Sequence, residues 1–295
     1  MRKMAELYYR DWPHDIGLIG MQEVKTRMTS CTAVTGQVHG AQCFAELLED
    51  VYGQSADWRS YGELGIVVGF PWEIIGTERY ELSRDTKGAT LGSRASMRLL
   101  LGVKVRHSTH GWILRFYTTH LSHDSKWDNG TIRVNRSADR ILQVNKLVRL
   151  VRNMAEEAEL PPIIVGDFNM GMSDEEFMAI MMGFGYRLAN LQAVGCLENG
   201  RPIPVDIGID HIWYRYRGQQ TQGYYTPIRY HTSDHGGGID FKARYQLGDY
   251  WGKLSDHNSP GITFSITNAF SHPITPSTPV YEGKAADKKI PPGSS

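Results

Sequence analysis

Between Leu64 and Ser122 the chain writes four apolar segments in succession, "LGIVVGF", "EIIGTERYELS", "SMRLLLGVKVRH" and "GWILRFYTTHLS", with turn residues such as "FPWE" and "HSTHG" between some of them. Segments of this length, rich in β-branched and aromatic residues and broken by turns, read as β-strands with meander-like spacing. The next apolar run comes only after a helical stretch, "TIRVNRSADRILQVNKLVRLVRNMAEEAE", where Ile132, Ile141, Val144, Leu147, Val148 and Val151 supply one stripe. The prolines of "LPP" close that helix, and "IIVGDFN" follows as a buried strand running into a loop. Strands that occur both consecutively and across a helix require a mixed sheet in an α/β domain.

The remaining segments fit that frame. "MRKMAELYYRDWPHD" puts Met4, Leu7 and Tyr8 at helical spacing, "IGLIGMQEV" reads as a short buried strand, and "GAQCFAELLEDVYG" reads as a helix stopped by Gly53. In "SDEEFMAIMMGFG", Ser173 is expected as N-cap with Glu176 at the capping-box position. "GIDHIWYRYR" and "GITFSIT" are further strands. Residues 1–268 are therefore expected to form one domain, and 269–295, with five of the thirteen prolines and no apolar periodicity, an extended or disordered tail.

Composition excludes some functions. With 32 basic and 32 acidic residues the formal charge is zero, so the chain as a whole is no basic nucleic-acid clamp. Cys31, Cys43 and Cys196 form no CxxC pair and leave one over. That count argues against a disulfide framework or a structural zinc site and makes a reduced, cytoplasmic compartment the default expectation. No apolar run reaches the length of a membrane span.

Five stretches concentrate acids, amides and imidazoles at strand ends: "MQEV", "TTHLS", "VGDFNMG", "IDHIW" and "LSDHNSPG". Strand ends that share a sheet edge present their side chains to one cleft, so residues far apart in sequence can converge there. Glu23 is a carboxylate of the kind that hard cations such as magnesium prefer. Asp167 and Asn169 lie two apart, and if their loop stays extended they point to one side, with Phe168 turned to the core. His211, beside Asp210, points to the opposite face of its strand and is structural.

The order Gln-Glu, Thr-His-Leu, Gly-Asp-Phe-Asn, Asp-His-Ile, Ser-Asp-His resembles the endonuclease/exonuclease/phosphatase superfamily of metal-dependent phosphoesterases, over roughly residues 16–266. The resemblance implies a deoxyribonuclease I-like four-layer sandwich, two packed mixed sheets flanked by helices. It implies Glu23 and Asp256 at a magnesium or manganese ion and His120 at the scissile phosphate or leaving group. It implies Asp167 positioning the attacking water, Asn169 holding the phosphate or a coordinated water, and Asp210 orienting His257 as base or transition-state stabiliser.

Ser-Asp-His occurs twice. "LSDHNSPG" follows a leucine and leads into the alternating "ITFSIT", whereas "TSDHGGG" runs into three glycines, so Asp256 and His257 are assigned to the site and Asp234 and His235 to a surface loop. Two departures stand against the family pattern. A first strand carrying a metal-binding asparagine has no counterpart ahead of the opening helix, so the fold is expected to lack it and a secretion signal upstream stays open. Thr118 also stands where many relatives have an asparagine.

The leading expectation is a magnesium-dependent phosphodiesterase acting on DNA or RNA as a monomer. Arg94, chosen as substrate-binding, and Arg98, Arg133, Arg136, Arg215 and Arg217 are candidates for phosphate contacts, and Trp127, Trp213 and Tyr214 for base stacking. The alternatives are hydrolysis of a small phosphoester or phospholipid headgroup, and a truncated, inactive binding protein.

Overall fold

The structure, a computed structural model, describes residues 1–11, 13–14, 16–28, 31, 36–84, 97–123, 137–154, 159–171, 173–189 and 209–215, together with the backbone of several short strands. In chain order the elements are α1 (Arg2–Asp11), β1 (Leu18–Met21), α2 (Gly40–Tyr52), β2 (Ala56–Tyr61), β3 (Leu64–Gly69), β4 (Trp72–Arg84), β5 (Met97–His107) and β6 (Ile113–His120). They continue with β7 (Ser125–Lys126), β8 (Arg133–Val134), α3 (Ser137–Met154), β9 (Leu160–Asp167), α4 (Glu175–Gly183), β10 (Tyr186–Leu188), β11 (Gly195–Cys196), β12 (Pro202–Ile203) and β13 (Asp210–Arg215). Last come β14 (Arg229–Ser233), β15 (Arg244–Leu247), β16 (Tyr250–Lys253) and β17 (Thr263–Thr267), where β14 pairs with β17 and β15 with β16.

Two sheets carry the described core. One has the order β1-β3-β2, all antiparallel. The other has the order β10-β13-β9-β6-β5-β4 and is mixed, because β6 and β9, joined through α3, run parallel. Alternation along the strands sorts side chains into three apolar clusters. Leu64, Ile66 and Val68 of β3 meet Leu101, Val103, Phe116, Ile163 and Ile212 between the sheets. Leu100, Tyr117, Ile164 and Trp213, on the other face of the larger sheet, pack under α3 and α4. Val67 and Ile19 pack against α1 and α2 on the outer face of the smaller sheet. The layers run helix, sheet, sheet, helix, as expected from sequence.

Local details differ from the expectation in ways with physical causes. The third helix runs Ser137–Met154, Arg133–Val134 of the expected helix form β8 instead, and Pro161 and Pro162 belong to β9 rather than closing the helix. The cap of α4 is Asp174, whose carboxylate accepts the Phe177 amide at 3.0 Å, one residue after the expected Ser173. Gly53 does stop α2, at φ +65 with its amide on Glu49 O. β2 was not anticipated; "ADWRSY" is polar on one side, and it forms because it pairs along the full length of β3.

The disulfide expectation is corrected. Cys31 and Cys43 are bonded, their Cα atoms 5.7 Å apart, pinning the segment after β1 to α2. A spacing of twelve matches no short cysteine motif, and only the packing of that segment onto the helix brings the sulfurs together. No helix among the described residues is long and apolar enough to cross a membrane.

Candidate active site

Register assembles the centre of the site. His120 at the end of β6 is the parallel partner of Asp167 on β9, and Asp167 is the antiparallel partner of Asp210 on β13. Directly paired residues project to the same face with Cβ atoms about 4.5–5.5 Å apart. The face is the inner one, since Phe116, Ile163 and Ile212, each an even number of residues away, lie in the core between the sheets. Phe168 and His211, one step out of phase, point the other way, where His211 stacks on Phe168 and Phe177 at 5.5 and 5.4 Å. His211 is fully buried and takes the Trp213 indole N–H on Nδ1 at 3.3 Å.

The smaller sheet brings Glu23. Gly20 of β1 sits so tightly on the larger sheet that a Cβ there would lie 2.2 Å from Val165 Cγ2 and 2.9 Å from Thr118 Oγ1. Gln22 Nε2 then donates to Thr118 Oγ1 at 2.7 Å, so the threonine that replaces an expected asparagine is the anchor of the strand end. Glu23 follows with φ +53, a left-handed conformation uncommon outside glycine, which turns the chain out of the sheet. Its side chain is 69% exposed and Oε1 lies 3.8 Å from His120 Nε2.

Glu63 was not singled out from the sequence. It occupies the two-residue turn between β2 and β3, where Gly62 takes φ +61, as tight hairpins require. Its Oε1 accepts a hydrogen bond from His120 Nδ1 at 2.9 Å, and that bond holds the Glu63 carboxyl below the usual glutamate range against the opposing effect of burial. The Val24 amide donates to Glu63 O at 2.9 Å, which ties the Glu23 turn to the hairpin tip. The signal available beforehand was an acid beside glycine at a hairpin turn, "YGEL".

His120, 4% exposed, therefore faces Glu63 through Nδ1 and, through Nε2, Glu23 at 3.8 Å and Asp167 at 3.7 Å. Arg98, 3% exposed, supplies a positive group, with Nη1 3.5 Å from Glu63 Oε1 and Nη2 3.2 Å from His123 Nδ1. Burial lowers its pKa, and Glu63, Asp167 and Glu23 work in the opposite direction. Asn169 does not extend from Asp167 as expected. It has φ +52, its backbone amide donates to Asp167 Oδ1 at 2.8 Å, and its Nδ2 donates to Leu121 O at 3.0 Å.

The structure thus brings Glu23, His120, Asp167, Asn169 and Asp210 to one end of the two-sheet core. Asp256, His257, Arg94, Asp234, His235, Trp127, Arg136 and Arg217 lie outside the described residues, as do the side chain of Arg133 and the 269–295 tail. Trp213 is fully buried beneath the helices and cannot stack on a base, which corrects that expectation. Among the described residues no group of three or more His, Cys, Asp or Glu side chains is placed to hold a metal ion. Glu23 keeps its carboxylate open to solvent beside His120, which lies 3.7 Å from Asp167, and such an oxygen is of the kind a hard cation takes.

No protein-family model matches the sequence, and no curated protein matches it. Solved structures do. A mannosyl-6-phosphatase from Bacteroides thetaiotaomicron VPI-5482 aligns over 90% of both chains at 14% identity and a TM-score of 0.51. The endonuclease/exonuclease/phosphatase of Bacteroides vulgatus aligns over 72% of this chain and 77% of its own at 15% identity and 0.47. The catalytic domain of human Nocturnin aligns over 72% and 74% at 15% identity and 0.48. With its helix–sheet–sheet–helix layering and its match to the mannosyl-6-phosphatase over 90% of both chains, the chain has a deoxyribonuclease I-like fold.

Proposed function

We propose that the protein is a metal-dependent hydrolase of phosphoric esters, with magnesium or manganese held by Glu23 and, by the sequence assignment, Asp256. The observation that carries this reading is the in-register row His120, Asp167, Asp210 with Glu23 facing it from the second sheet. When bound, the cation neutralises charge on the non-bridging oxygens of the phosphoryl group.

The chain's own groups supply the rest. Asp167, fixed at Oδ1 by the Asn169 amide, orients the attacking water with its second oxygen. His120 spends Nδ1–H on Glu63 and presents Nε2 to the cleft, so a ring donating to the phosphate or the leaving oxygen does so as the imidazolium. Arg98 places a fixed positive charge behind that ring. Asp210 orients His257 in the assignment made from sequence.

For substrate, a small phosphoester fits the described surface better than a nucleic acid. Trp213 is unavailable for stacking, and the net charge of zero provides no steering field. The mannosyl-6-phosphatase that shares the fold acts, by its name, on a sugar phosphate. The test is turnover of mannose 6-phosphate, a chromogenic monoester, a chromogenic diester, sphingomyelin and plasmid DNA with magnesium or manganese. Turnover of a small ester, lowered about 100-fold or more in His120→Ala and abolished by chelation, supports the reading; preferential DNA cleavage returns the substrate to nucleic acid. No turnover of any substrate, with His120→Ala behaving like the parent, refutes the enzyme.

A further inference from the structure

The residues just after His120 are held from a direction the mechanism does not use. Gln143 on α3 is 1% exposed and engages its whole amide: Oε1 accepts the Ser122 amide at 3.0 Å, and Nε2 donates to Ser122 Oγ and to Ser83 Oγ, each at 2.8 Å. One helical turn earlier, Arg140 Nη1 donates to Ser122 O at 3.2 Å. Ser122 itself is 1% exposed, so its amide, carbonyl and hydroxyl are satisfied by two side chains of one helix. The preceding residue is held as completely from the other side. The Leu121 amide donates to Asp167 O at 2.9 Å, and Leu121 O accepts Asn169 Nδ2 at 3.0 Å.

We infer that Gln143, with Arg140, is a positioning residue for the site: it fixes the Leu121–Ser122 segment and thereby the placement of His120 before it and His123 after it. The inference rests on the phosphoester-hydrolase reading above. A buried glutamine is a costly choice for an apolar helix face unless every polar atom is paired. Ile141, Val144, Leu147 and Val148 around it fill the core without such groups. The segment it grips directly follows His120, whose Nδ1 must reach Glu63 and whose Nε2 must face Glu23 and Asp167 within 3.8 Å. His123, one residue beyond, closes on Arg98. Small displacements in such constellations are expensive, on the order of 100-fold for about 1 Å.

The test compares Gln143→Leu and Gln143→Glu in the full chain, alone and combined with His120→Ala. Gln143→Glu keeps the acceptor for the Ser122 amide, and the two serine hydroxyls can rotate to donate to it. The expected result is a fall in kcat of tenfold or more for Gln143→Leu at a KM within twofold of the parent, with most activity kept in Gln143→Glu. In the His120→Ala background Gln143→Leu should lower the residual kcat no further, because it acts through that ring. A further fall multiplying the single effects, with equal loss in the Leu and Glu variants, overturns the inference. Where Gln143→Leu does not fold, Ser122→Ala replaces it, with a loss of about threefold expected and the same cycle read. Imidazole ring 15N signals of His120 need no turnover: they should shift in Gln143→Leu, and unchanged signals overturn the positioning role even if the parent proves inactive. A parent without turnover but with shifted signals removes the hydrolase reading alone.

Discussion

Gly20 tests the link between packing and chemistry. A Cβ at this position would sit 2.2 Å from Val165 Cγ2, with Thr118 Oγ1 at 2.9 Å and Thr118 Cβ at 3.1 Å. Ordinary carbon contacts need about 3.5–4.0 Å, so Gly20→Ala is short by about 1.3–1.8 Å. Val165 has little freedom to rotate away because its branched side chain prefers one χ1 well. β1 must therefore lift off β6 and β9, at a cost of about 1–3 kcal/mol for overpacking. Three residues on, Glu23 moves with it, away from the His120 ring it approaches to 3.8 Å. A displacement of about 1 Å predicts a loss on the order of 100-fold in kcat/KM and a weaker metal requirement curve. The assay is thermal melting alongside turnover titrated with magnesium. The double variant Gly20→Ala/Val165→Ala removes the worst contact and should recover part of both losses, so that the two changes are non-additive by 0.5 kcal/mol or more. Parental activity and melting temperature in Gly20→Ala, or strict additivity in the double variant, would refute the argument.

Other expectations follow from the same geometry. His120→Ala should lower kcat by about 10²- to 10⁴-fold and also lower the melting temperature, because it removes the buried hydrogen bond to Glu63, as read by single-substrate kinetics and calorimetry. Because the Glu63 pKa is lowered in the folded state, chiefly by the hydrogen bond from His120, that bond contributes stability above the ordinary glutamate range, and this is lost as pH falls through the depressed value. Acid titration of the melting temperature should therefore be shallower in Glu63→Gln than in the parent. Removing the disulfide by Cys31→Ser should cost about 2–3 kcal/mol in a denaturant series, and a reductant should reproduce that loss in the parent but not in the variant. Arg115 and Glu159, 5% and 2% exposed, pair at 2.7 Å on the outer face of the larger sheet, with Lys104 also 2.7 Å from Glu159. Arg115→Met should destabilise by about 3–5 kcal/mol, since it leaves a buried carboxylate short of a partner; a loss under 1 kcal/mol would contradict this.

Much of the site was legible because strands encode direction. The period of two sends Asp167 and Phe168, and likewise Asp210 and His211, to opposite faces, and the family resemblance proposed which member of each pair belongs to the site. The helix–sheet order was legible from apolar periodicity for the same reason. What escaped were contacts that sequence distance hides. Glu63 sits 57 residues from His120, and no pattern in "YGEL" announces that a hairpin tip will meet a strand end on the other sheet. Cys31 meets Cys43 at a separation of twelve residues, which matches no short cysteine motif that could be read beforehand. Asn169 was misjudged because a left-handed residue breaks the extended geometry on which the alternation argument depends.

The row His120, Asp167, Asp210 exists only as a consequence of backbone pairing. A slip of β9 by one residue would present Gly166 or Phe168 at the cleft and send Asp167 into the apolar layer beneath the helices. Intermediate placements do not exist, because hydrogen-bond ladders advance in whole residues. Register and placement are therefore separate requirements: a molecule whose β9 has slipped loses Asp167 from the row outright, whereas one with correct pairing but displaced neighbours keeps the row and works slowly.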